Sequence, residues 1–248
     1  MFLIYLCGYD FKLYKIMKKN VLIALFILIS AKGFSQYYGL QMGFKVSMNL
    51  VDNNVEGFGK YANFADNGLN LRIGLGPVAD FYINEKYAIS SGLFYTVKSV
   101  GFLVPKSFSS QNLPNIATKD LASEAVFNLQ YLQVPLTMKL FTTELFDRSR
   151  LFLQFGGLFD LKIAEKALDK TRNPLYLYEQ TVSGQPDVFG FGDVNLLIGF
   201  GVEHRLTNGE VILVGINYTR GLADISTKTF QDINIKNNLF AIDLGFKF

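Results

Sequence analysis

Cysteine is almost absent from this chain of 248 residues: the one copy, Cys7, stands close to the start. Histidine is also single, His204, so no pair of imidazoles can hold a metal ion. Charged residues make up only 18% against 50% hydrophobic ones, a balance rich in apolar side chains for a water-soluble protein. Long apolar runs are nevertheless missing. The longest spans residues 21–29, well short of the roughly 18 to 20 residues that a membrane-spanning helix needs. These absences exclude a helical membrane protein and a disulfide framework.

That longest run follows Met17, Lys18, Lys19 and Asn20 and precedes the small residues Gly33 and Ser35. A basic stretch, a short apolar core and a small-residue site are the marks of a secretory signal peptide, cleaved between Ser35 and Gln36. Residues 1–16 have no part in such a leader, so translation is expected to begin at Met17. The expected organisation is residues 1–35 as upstream extension and leader and residues 36–248 as one exported domain. Cleavage would remove Cys7 and leave no cysteine to carry a lipid anchor. It would also remove five of the 24 basic residues and one of the 21 acidic ones, leaving 19 against 20, a net charge of −1. The basic balance belongs to the leader, and nucleic-acid binding is not supported.

The remaining chain alternates with a period of two. Residues 39–50 set Leu40, Met42, Phe44, Val46 and Met48 against Gln41, Gly43, Lys45, Ser47 and Asn49. The same pattern recurs over residues 69–83, 87–99, 128–142, 151–163, 193–204 and 211–220, and over the last stretch, 238–248, where Phe240, Ile242, Leu244, Phe246 and Phe248 share one face. Eight strands are expected, with a bulge at Pro135 because proline cannot donate to a ladder. The linkers 84–86, 143–150 and 205–210 are short, whereas 51–68, 100–127, 164–192 and 221–237 are long, and the two classes alternate. Outer-membrane barrels show this asymmetry, with short periplasmic turns and long outer loops.

Alternation alone also fits a soluble lipocalin-like barrel with its apolar face turned inward around a ligand. The polar face separates the two. It carries Gly43, Gly74, Gly76, Gly92, Gly156, Gly199, Gly201, Gly215 and Gly245 among long charged side chains, as the narrow interior of an eight-stranded barrel requires. Aromatic residues cluster at the ends of the apolar face, Tyr38, Phe81, Tyr87, Phe246 and Phe248 at one and Tyr95, Phe159, Tyr218 and Phe240 at the other, as lipid-interface belts do. The expected fold is all-β: an eight-stranded antiparallel up-and-down transmembrane β-barrel, located in the cell outer membrane and in contact with its lipid.

No catalytic, cofactor-binding or metal-binding residue is expected, and the chain is not read as an enzyme. His204 lies beside the turn Thr207-Asn208-Gly209, Asp52-Asn53-Asn54-Val55-Glu56 lacks the oxygen spacing of a calcium loop, and Gly190-Phe191-Gly192 is not followed by the lysine of a phosphate loop. The inward face does gather Lys45, Arg72, Lys98, Lys139, Lys162 and Lys247 against Asp80, Asp160, Asp193, Glu203 and Asp243. A closed barrel would pair these charges, whereas a small passive channel for ions or solutes would line its wall with them. Replacing inward Lys247 by a neutral polar residue is expected to be mild, and losing Phe248 severe.

Ser91-Gly92-Leu93-Phe94-Tyr95-Thr96-Val97-Lys98, Tyr131-Leu132-Gln133-Val134-Pro135-Leu136 and Tyr218-Thr219-Arg220-Gly221-Leu222 resemble segments of the PorT-like outer-membrane β-barrel family of Gram-negative bacteria. The glycine that follows the third strand's lysine in that pattern is displaced here, in Lys98-Ser99-Val100-Gly101. The resemblance implies a barrel of structural or interaction type. Its long loops or periplasmic face would serve adhesion or a secretion assembly, as the family's namesake is linked to secretion and maturation at the outer membrane. Phe248 at the end of the closing strand resembles the signal by which barrel-assembly machinery recognises such chains.

Overall fold

A computed structural model describes residues 39–184, 188–226 and 232–248. Cys7, Met17, the leader and Tyr38 lie outside the described residues.

Among the described residues ten antiparallel strands form a single sheet: β1 (Leu40–Gly57), β2 (Ala65–Asp66), β3 (Asn70–Asn84), β4 (Tyr87–Gly92), β5 (Phe94–Leu103), β6 (Glu124–Phe141), β7 (Ser149–Ala167), β8 (Gly192–Arg205), β9 (Val211–Gly221) and β10 (Ile233–Lys247). Sequential neighbours pair up and down, and β1 closes the wall by pairing with β10 on one side and β3 on the other. The expected count of eight is therefore corrected to ten among the described residues: a break at proline accounts for one of the two extra strands and the short β2 for the other. β4 and β5 continue one register against both β3 and β6, and carrying that register across the gap sets Leu93 opposite Pro77 and Gly92 opposite Pro135. The Leu93 amide donates to the Pro77 carbonyl at 3.1 Å, but Pro77 has no N–H to return. The ladder is thus interrupted between β4 and β5 without a bulge at Pro135, which pairs with Leu158 in unbroken register. The bulge between β6 and β7 lies instead beside Gln130 and Tyr131, where Ile163 is the extra residue. β2 is a two-residue pairing against the outer end of β5.

The first of the short linkers is a tight turn, as expected. There the Asn84 side chain accepts from the amides of Lys86 and Tyr87, both at 2.9 Å. In the last, Gly209 takes a left-handed φ of 89°.

Large apolar side chains cover the outside of the wall, among them Ile73, Leu136, Phe159, Phe200, Leu244 and Phe246, all exposed. This orientation overturns the lipocalin-like alternative, whose apolar face would point inward. No helix among the described residues is long and apolar enough to cross a membrane.

At the long-loop end the strands run further than alternation suggested, because their two faces exchange character. On β1 the outward residues pass from Leu50 to Asp52, Asn54 and Glu56, while the inward ones pass from Ser47 and Asn49 to Val51 and Val55. The partner β10 changes at the same level, from Phe240 to Asn238 and Lys236 outside and to Ile235 and Ile233 inside. Beyond this line the sheet wraps an ordinary hydrophobic core. Val100 and Phe102 of β5, Phe127 and Leu129 of β6 and Ile233 of β10 pack there with Tyr61, Phe64, Phe189 and Ile225 from the loops. Two helices seal it. α1 (Lys106–Asn112) buries Phe108, which meets Phe64 edge-on at 5.0 Å between centroids. α2 (Pro174–Ser183) buries Leu175 and has the sequence marks of a helix: Asn173 caps the Tyr176 amide at 3.0 Å, proline opens the first turn, and Gly184 ends it at φ 72°.

Candidate functional site

Charged side chains converge in the interior of the barrel, and alternation explains how they arrive there. Every second residue of each strand enters the lumen, so Asp80 of β3, Lys139 of β6, Glu203 of β8 and Lys247 of β10 meet although they are far apart in sequence. Desolvating a charge is costly unless it is paired, and these charges are paired in layers along the axis.

The layer at the short-turn end sets two buried acids against three cations. Lys247 lies 2.7 Å from Asp80 and also pairs with Glu203, while Lys139 sits 2.7 Å from Asp80 and 3.8 Å from Glu203. Asp80 is further held by the Ser90 hydroxyl. Arg150 reaches Glu203 at 2.9 Å with its guanidinium 3.8 Å from the centroid of Phe141, and the Tyr82 hydroxyl receives a 2.9 Å bond from Lys247. Arg150 and Glu203 line a cavity of about 340 Å³ that opens between the short turns. In the middle layer Asp243 accepts from Lys45 at 2.7 Å, from the Ser47 hydroxyl at 2.6 Å and from Asn217. In the third layer Lys98 bridges Asp160 at 2.7 Å and Asp193 at 3.0 Å, and Asn195 and Asn237 each donate to one of the two carboxylates. Each lysine nitrogen also stands over an aromatic face: Lys45 over Phe94, Lys98 over Tyr131, Lys139 over Phe152 and Lys247 over Tyr82, at 4.7 to 5.5 Å.

All five expected inward carboxylates, and Lys45, Lys98, Lys139 and Lys247, are thus brought together as pairs. Lys162 is ion-paired lower in the loops' shadow, to Glu165 at 2.9 Å, and donates to the Phe189 carbonyl under the outer core. Arg72 departs from expectation and does not join the lumen. Its guanidinium bonds Asn128 at 2.8 Å and Ser99 at 3.0 Å, residues that alternation places on the outer face of β6 and β5. The physical reason is a gap in the wall. Hydrogen bonding between β3 and β5 ends at Gly74 and Thr96, so the side chain of Arg72 passes out through the open seam above them.

Between the ionic layers the lumen is apolar, which the sequence pattern did not signal. Phe94, Leu158 and Leu197 stand between two cavities of about 30 Å³ each, the size of one or two water molecules. Phe141, Phe152, Ala88 and Leu213 fill the short-turn end. Arg150 was also missed, because residues 143–150 read as a linker whereas β7 begins at Ser149. The mildness expected of a Lys247 replacement is corrected too, since its side chain is fully buried between two carboxylates.

Outside the lumen, two titrating groups at the long-loop end are perturbed. Burial pushes the Tyr61 hydroxyl well above its ordinary range, and burial also raises the Asp66 carboxyl, opposed by the Gly68 amide that donates to it at 2.8 Å. His204 is exposed at the short-turn end, 2.8 Å from the Ser149 hydroxyl.

The geometry is that of a lipid-exposed barrel with a filled lumen. Among solved structures the chain is similar to Neisserial surface protein A, at 12% identity over 85% of this chain and 97% of that one, with a TM-score of 0.44. It is similar to OprG from Pseudomonas aeruginosa, at 11% identity over 84% and 94% with a TM-score of 0.43. It is also similar to Ail, the attachment invasion locus protein of Yersinia pestis, at 9% identity over 84% and 97% with a TM-score of 0.39. No match was found among curated proteins. The family model described as outer membrane protein beta-barrel domain matches residues 34–227, and the chain belongs to that family and resides in the outer membrane.

Proposed function

We propose that the protein is a non-enzymatic, closed outer-membrane barrel of structural or interaction type, of the PorT-like kind, which presents the packed cap at its long-loop end to a partner. The observation that carries this reading is the lumen. Three ion-paired layers, the apolar partition of Phe94, Leu158 and Leu197, and the core beneath α1 and α2 block it at successive levels. A passive channel, the second reading, would need a continuous wet path, and the two small cavities on either side of the partition favour the first.

In this reading residues 1–35 serve export, translation starts at Met17, and the mature chain starts at Gln36. The short turns lie in the periplasm and the cap at the cell surface. The barrel-assembly machinery recognises the strand that ends in Phe248, and secretion-system proteins are the favoured class of partner. The test is planar-bilayer recording on the refolded barrel, together with liposome swelling. The expected outcome is no resolvable conductance steps and no sugar uptake. Stable steps, or swelling in small sugars, would transfer the assignment to the channel reading.

A further inference from the structure

Arg72 leaves the lumen and lies on the outer wall just where that wall ceases to be apolar. On β3 the outward residues Ile73 and Leu71 are exposed, on β6 Leu132 gives way to Gln130 and Asn128, and on β7 Leu161 and Ile163 give way to Ala164 and Lys166. Asn128 is the direct register partner of both Ser99 and Lys166. Arg72, Ser99, Asn128 and Lys166 therefore run side by side around the wall, two cations with hydroxyl and amide groups between them.

Charge compensation distinguishes this wall from the opposite one. Among the described residues neither Arg72 nor Lys166 has an ion pair, and the outward carboxylate of Glu124 sits further out, opposite Leu103. On the other wall Lys236 faces Asn54 in register and stands between the levels of Asp52 and Glu56. A guanidinium held only by neutral acceptors, Asn128, Ser99 and the Leu71 carbonyl, keeps its charge uncompensated, which invites an anion.

We propose that Arg72 and Lys166 form a binding site for the phosphate of an outer-leaflet lipid headgroup, whose acyl chains lie on the apolar band directly beneath. Continuity with that band selects a lipid over a soluble anion. Arg72 supplies a charge and the one guanidinium N–H that no protein acceptor takes, Lys166 supplies a second charge, and the open seam above Gly74 supplies the room. This goes beyond the interaction role proposed above and does not depend on whether the lumen conducts.

The experiment is native mass spectrometry of the folded barrel released from detergent micelles. The probes are a bis-phosphorylated glycolipid of the lipid A type, its dephosphorylated counterpart, and inorganic phosphate as competitor. The parent is expected to retain the phosphorylated lipid at least about fivefold better than the dephosphorylated one, a preference worth about 1 kcal/mol. K166Q should lose most of that preference and R72Q with K166Q all of it, while K236Q should behave as the parent. Folding is checked by heat-modifiable gel mobility. If R72Q does not fold, K166Q and the charge reversal K166E carry the test, since Lys166 is exposed. Equal retention of both lipids by the parent, unchanged preference in K166Q and K166E, or displacement of the lipid by millimolar inorganic phosphate would overturn the proposal.

Discussion

Lys247 shows what a single buried residue does here. Its ammonium satisfies Asp80 and Glu203 together and contacts Tyr82, so replacing it by glutamine leaves two buried carboxylates with fewer positive partners. Breaking such a pair costs roughly 3 to 5 kcal/mol, and the lower end applies because Lys139 and Arg150 still serve the two acids. K247Q should therefore lower the urea midpoint of the barrel in lipid vesicles clearly. K45Q should lower it less, by roughly 1 to 2 kcal/mol, because Lys45 is partly exposed and Asp243 keeps its bonds from Ser47 and Asn217. An equal or reversed order in the two unfolding curves would mean that burial does not set the cost.

At the scale of the element, the seam between β1 and β10 decides closure. Gly43 pairs with Lys247 and Gly245 with Lys45, yet the two glycines differ in the space around them. A Cβ on Gly43 would stand 2.1 Å from the Phe246 carbonyl oxygen and 2.7 Å from the Lys247 Cα, whereas one on Gly245 would meet nothing closer than 3.4 Å. G43A should impair assembly and G245A should assemble normally, as judged by the heat-modifiable gel shift; a normal shift for G43A would show that the seam can open by an ångström without consequence. The end of β10 adds a second requirement. The Phe248 amide donates to the Met42 carbonyl at 2.8 Å. Deleting Phe248 should leave the exported chain unfolded and protease-sensitive, and wild-type levels of folded barrel in the deletion strain would remove the last strand from its place in assembly.

Over the whole molecule the strands traverse two solvents. Beside lipid the apolar face points out and the charges point in; above the level of Leu50 and Phe240 the apolar face points in, as in a water-soluble sheet. The lumen is thereby blocked twice over, by ionic layers within the membrane and by a hydrophobic core beyond it. F94A should consequently remain non-conducting in planar bilayers despite widening the partition, because Phe141 and Phe152 below and Phe102 and Phe127 above still close the path. Current through F94A comparable to that of an open pore would mean that the partition alone held the barrel shut.

The sequence by itself determined the all-β class, the antiparallel up-and-down order, the outward apolar face and which carboxylates enter the lumen, because a period of two assigns every strand residue to one side as soon as one side must face lipid. It also placed the tight turn after Asn84, whose side chain makes its bonds locally. Only the tertiary structure decided the rest. The break at Leu93 depends on Pro77 and Pro135 arriving beside it from two other strands, which no local pattern can show. The outer halves of β1 and β10 read as loops because polar residues fall where an apolar face was expected, and their inward apolar residues gain meaning only from the core that α1, α2 and Phe189 complete. Arg72 has the parity of a lumen residue, but the direction of a side chain at the end of a strand pairing is set by whether a neighbouring strand closes over it, and above Gly74 none does.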